Sequence, residues 1–113
     1  MSNDSKHDDN ALLLGFTTVE TREDAEKLAR ASVESGFVAC AQADAPITSF
    51  FSWEGKQETV TEHRVLFKFV SARRREVEEW LHANHPYDTP EWIVIVADHT
   101  AEKYLQWARE TTS

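Results

Sequence analysis

ITSFFSWEGKQETVTEHRVLFKFV, residues 47–70, reads as one long β-hairpin. Side chains alternate across a strand, so Ile47, Ser49, Phe51 and Trp53 share one face. Glu54-Gly55-Lys56 supplies a tight turn. TVTEHRVLFKFV then returns as a strand with Val65, Phe67 and Phe69 on one side. Aromatic residues occur at both parities, Phe50 beside Phe51, so both faces of the hairpin need cover.

Working outward, FVACAQA (37–43) predicts another strand, which Pro46 interrupts before the extended pattern resumes. Upstream, ALLLGFTTV (11–19) is a short apolar run and predicts a buried strand. Between them Thr21 opens a helix, with Asp24 three residues on in the manner of a capping box. Ala25, Leu28, Ala29, Ser32 and Val33 form its small-residue face, and Gly36 stops it in the left-handed region. Downstream, Ser71 is expected to cap a helix over 72–84 with Val77, Trp80 and Leu81 as its stripe, and Pro86 forbids continuation. WIVIVA (92–97) predicts the last core strand. Thr100 is expected to cap a short helix that turns Ala101, Tyr104, Leu105 and Ala108 inward.

The order is β-α-β-β-α-β plus a terminal helix. That predicts an α+β, ferredoxin-like domain, an antiparallel sheet with its helices on one face. One domain spans 11–113, and residues 1–10, polar and acidic, are expected to be a disordered tail. The hairpin is longer than one small sheet requires, and uncovered strand edges invite pairing, so oligomerisation is expected.

The 113 residues suffice for one modest core, and 41% hydrophobic with 28% charged is an ordinary globular balance. A net charge of -8 repels phosphate backbones and anionic lipid, so neither nucleic acid nor a membrane surface is an expected partner. One cysteine excludes a disulfide scaffold and a Cys-rich zinc module. MSNDSKHDDN has no apolar stretch of a signal peptide, and no run reaches the roughly 20 apolar residues of a bilayer span. The cytoplasm is the expected location.

No catalytic signature is present: three scattered glycines build no phosphate loop, and neither GxSxG nor HExxH occurs. Cys40, between Ala39 and Ala41, reads as a small buried hydrophobe. Arg73, Arg74 and Arg75 read as a solvated face, with Arg74–Glu78 and Arg75–Glu79 pairs four apart. Glu62 and His63 point to opposite faces of one strand, so at most one of them serves any given site, and His99 is a further scattered candidate. In HANHPYDTPEW (82–92), His82 and His85 lie three apart, close enough on a helix to clasp a cation, although Pro86 biases His85 out of helical geometry. Glu62 and Lys68 share a strand face. With Trp53 across the hairpin and Tyr87 after the proline, they are expected to line a cleft between subunits.

The residues CAQA from Cys40, SFFSWEGK from Ser49 to Lys56, Glu62, Lys68, HPYDTPE from His85 to Glu91 and YLQW from Tyr104 to Trp107 occur in this order. Together the chain resembles the CutA family of divalent-cation tolerance proteins from about Leu12 to about Arg109. The resemblance implies a ferredoxin-like fold and a homotrimer locked by long hairpins, similar to that of the PII signalling proteins, which hold small ligands between subunits. It also implies a cytoplasmic protein linked to tolerance of copper and other divalent metals, with no enzymatic activity. In copper-binding relatives a cysteine near the end of the first strand and a histidine pair before Pro-Tyr are implicated. Here those positions read Phe16 and Asn84-His85, and the family's Lys-Thr after the long strand reads Lys68-Phe69. Only His85 carries over, with His82 one turn back. The expectation is weak binding of divalent copper led by His85, with His82 secondary. The alternative is a PII-like sensor or scaffold that takes a small ligand in the cleft.

Overall fold

The computed structural model describes residues 11–113, so the tail expected over 1–10 lies outside the described residues. Four strands form one sheet: β1 (Leu12–Val19), β2 (Cys40–Trp53), β3 (Lys56–Val70) and β4 (Ile93–Val96), in the spatial order β2-β3-β1-β4. All neighbours are antiparallel. β1 and β2 therefore run parallel with β3 between them, and the helix that joins them crosses over the sheet. This is the split β-α-β arrangement that the element order predicts.

That helix, α1 (Arg22–Glu34), starts as expected: the Thr21 hydroxyl accepts from the Asp24 amide at 3.0 Å. It stops at Gly36, whose φ of +87° lies in the left-handed region. The second crossover starts differently. Ser71 makes no side-chain cap; Ser71–Arg73 is a 3-10 turn, and α2 runs Arg74–Asn84. The last helix, α3 (Glu102–Thr111), is likewise uncapped by a side chain, so Thr100 does not serve there. Of its expected inner face, Ala108 is buried and Leu105 packs beside it, while Tyr104 and Ala101 are exposed.

Pro46 does not end a strand. β2 runs through it with a register irregularity between Ala43 and Pro46, where the ladder dispenses with the amide hydrogen that proline lacks. At the hairpin tip Glu54 and Gly55 both have positive φ, 50° and 81°, which gives the turn a twist matching the strands it joins.

Odd positions of β3 carry the core: Val65, Phe67 and Phe69 are buried against Leu28 of α1 and Val77 and Leu81 of α2. α3 lies over one end of the other sheet face, against Leu12 and Val70. The remainder of that face holds Ile93 and Ile95, 53% and 47% exposed. β1 pairs with β3 only from His63 onward, so Lys56–Glu62 and the β2 residues opposite form a two-stranded arm beyond the sheet.

Candidate functional site

The segment after α2 decides where the expected ligands go. A residue before proline is pushed out of helical geometry, and His85 is extended at φ -77°, ψ 138°. Its backbone amide still reaches Leu81 O at 2.9 Å, but its imidazole turns inward and is only 8% exposed. Nδ1 accepts the Tyr87 amide hydrogen at 3.0 Å, so Nε2 carries the ring hydrogen and donates it to the Thr18 carbonyl at 3.0 Å. Both ring nitrogens are thus engaged. Burial foremost holds the imidazole below its ordinary pKa, His82 adding to this, while the Thr18 carbonyl, Asp24 and Glu62 oppose it.

Availability for a metal therefore runs opposite to the order expected from the sequence. His85 has no lone pair to offer unless the Tyr87 bond is given up. His82 is exposed on α2; its Nδ1 donates to Glu78 O at 3.0 Å, and its Nε2 makes no hydrogen bond to the described residues. Among the described residues no three of His, Cys, Asp and Glu gather closely enough to hold a metal ion. His99 is exposed, and His63 is buried on the face away from Glu62. Cys40 is half-buried and lies opposite Lys68 rather than deep in the core.

The His85 bonds hold the 85–91 segment against β1, and a further bond from Thr17 Oγ1 to the Glu91 carbonyl, 2.6 Å, fixes its far end. Tyr87 is thereby aimed at the hairpin arm, its hydroxyl 3.3 Å from Glu62 Oε2. Partial burial, with Glu62 adding to it, pushes the phenol up to about 12. Between the arm and this segment lies an open cleft of about 670 Å³. Trp53, Glu62 and Tyr87, which the sequence assigns to a cleft between subunits, line this cleft of the single chain. So do Phe51, Glu58 and Glu91, which the sequence reading passed over although the alternation that places Trp53 and Glu62 also selects Phe51 and Glu58. Desolvation raises the Glu91 pKa, Glu62 raises it further, and Arg64 acts against both.

Lys68 does not line this cleft of the single chain. It shares a face with Glu62, but six strand residues put them about 20 Å apart. Its Nζ lies over the Tyr104 ring, 5.7 Å from the centroid. The expected Arg74–Glu78 and Arg75–Glu79 pairs are also not among the ion pairs of the described residues. Arg73 instead meets Glu76 at 3.0 Å and donates to the Thr112 carbonyl at 2.8 Å.

Residues 13–111 match the model of the family described as CutA1 divalent ion tolerance protein. The chain is 35% identical over 96 residues to the divalent-cation tolerance protein CutA of Archaeoglobus fulgidus, covering 85% of this chain and 93% of that one. It is 33% identical over 97 residues to the chloroplastic protein CutA of Arabidopsis thaliana; the match covers 86% of this chain but spans only about half, 53%, of the plant protein. Among solved structures, CutA from Synechococcus elongatus superposes with a TM-score of 0.87 at 35% identity, over 92% of each chain.

Proposed function

The chain belongs to the CutA1 divalent ion tolerance family, and from that premise we propose that it acts in divalent-cation tolerance as a non-enzymatic homotrimer of the cytoplasm that holds divalent copper weakly. The observation that carries the assembly is the uncovered apolar surface. Ile93 and Ile95 face outward from the sheet, and Phe50 is 75% exposed on the face of the arm turned away from Phe51 and Trp53. In the trimer we propose, the Phe50 side of one copy's arm covers the Ile93–Ile95 face of the next, and a three-fold rotation repeats that contact so that both patches are covered in every copy. No helix of the described residues is long and apolar enough to cross a membrane.

Copper would meet His82 Nε2 first, and His85 would join only by releasing the Tyr87 amide. One imidazole without converging partners binds weakly. Light scattering should return a mass near three times 13.0 kDa. Calorimetry with cupric ion should show weak binding that His82→Ala reduces on the order of tenfold and His85→Ala leaves nearly intact. A monomer mass, or copper binding indifferent to both substitutions, sinks this reading.

The cleft supports a second reading, a sensor or scaffold that takes a small ligand there, with Trp53, Glu62 and Tyr87 as walls. In that case the metal effects are indirect.

A further inference from the structure

The cleft joins two kinds of surface. Phe51, Trp53 and Tyr87 contribute three aromatic rings, and Glu58, Glu62, Asp88 and Glu91 contribute four carboxylates. Among the described residues that line it there is no Lys, Arg or His. Phe51 and Trp53 are 40% and 52% exposed, so their rings are open to a ligand. The strand register sets Phe51 directly across from Glu58, and the Tyr87 hydroxyl lies 3.3 Å from Glu62 Oε2, so each of these two rings has a carboxylate beside it.

This composition selects against phosphates and other anions, which four carboxylates repel. It also selects against a bare divalent ion, which needs several oxygens within about 2.6 Å of one point; the acidic groups here do not gather that way. An organic cation meets both surfaces at once. Its methyl or methylene body lies on the ring faces, whose quadrupole attracts the charge, and carboxylates a few ångströms further out add to the attraction. At about 670 Å³ the cleft is of the size that small ligands occupy.

We propose that the cleft binds an organic ammonium ion, with Trp53 and Tyr87 as aromatic walls and Glu58 and Glu62 as counter-charges. The proposal rests on the ligand-cleft reading and names the class of ligand.

The test is calorimetric titration of the full chain, in whatever assembly it forms, with choline chloride, with 3,3-dimethylbutan-1-ol as the uncharged molecule of the same shape, and with inorganic phosphate. Choline should bind saturably and about tenfold more tightly than the alcohol, and phosphate should not bind. Trp53→Ala, and separately the double substitution Glu58→Gln with Glu62→Gln, should each weaken choline about tenfold while circular dichroism and assembly mass stay unchanged. Equal binding of the alcohol, or choline binding that survives the double substitution, overturns the ammonium class and leaves the cleft a ligand site. Binding of none of the three probes overturns the class and the ligand-cleft reading together. Loss of the assembly in Trp53→Ala, with no choline binding by the native chain, overturns the proposal by making the cleft a seat for a neighbouring copy.

Discussion

His85 shows how one proline redirects a residue. Had α2 continued, His82 and His85 would share a helical face; Pro86 makes His85 extended and sends its ring into the protein. A buried neutral imidazole links stability to pH. Its folded pKa lies below the ordinary 6.5, so on acidification the unfolded chain takes up the proton first. The contribution is therefore fully present above about pH 6.5 and is lost as the pH falls from there through the lowered folded value. Urea unfolding at about pH 7.5 and about pH 5 should show this loss, and His85→Gln should flatten it; an unchanged slope would mean that the ring titrates normally. Gly15 is a second residue fixed by a neighbour. A Cβ there would stand 2.5 Å from Trp92 Cη2 and 3.1 Å from Phe69 Cε1. Trp92 is stacked on Phe69 at 6.2 Å and cannot retreat without disturbing the core. Gly15→Ala should cost roughly 1–3 kcal/mol, read as an earlier denaturant midpoint with the slope unchanged.

Among the elements, the hairpin is the one whose local chemistry and length pull apart. Its turn places Glu54 at φ 50°, a region where asparagine and glycine are at ease and glutamate is not. Glu54→Asn should stabilise by roughly 0.5–1 kcal/mol, visible as a higher thermal midpoint; a lower midpoint would mean that the Glu54 side chain makes a contact at the tip in the assembly. The strands beyond the turn are another matter. Between Lys56 and Glu62 the arm has only β2 for company, and a lone two-stranded ribbon is marginal in water. Phe50, 75% exposed on the side of the arm away from the cleft, is placed to find cover elsewhere.

For the whole molecule, the arm shows in the dimensions. The radius of gyration is 15.1 Å, against about 13 Å for a compact chain near this length. The open sheet face adds Ile93 and Ile95 to the surface seeking a partner. Ile95→Asp adds a charge that a single chain tolerates at a half-exposed position but an apolar interface does not. The expected outcome is a shift of the light-scattering mass toward 13.0 kDa with the circular dichroism of the fold retained, while Ile95→Val leaves the assembly intact. An assembly unaffected by Ile95→Asp would place the interface elsewhere.

The element order, the core and most boundaries could be read from the chain because periodicity is local. Val65, Phe67 and Phe69 alternate, Val77 and Leu81 recur at helical spacing, and Thr21 with Asp24 marks a helix start that the structure keeps. The WEGK and HPYxxPE segments also pointed to the family that the matches establish. What no local rule contains is distance and occupancy. Parity put Glu62 and Lys68 on one face, but strand rise separated them and α3 brought Tyr104 over Lys68. Residue type made His85 a ligand candidate, but only the fold brought the Thr18 carbonyl, 67 positions away in the chain, to its Nε2. Pro46 read as a break, yet β3 was long enough to carry β2 past it through one irregular pair. Side-chain chemistry and alternation are properties of neighbours in sequence; which partner satisfies each polar atom is settled by packing, because only packing brings distant segments within hydrogen-bond reach.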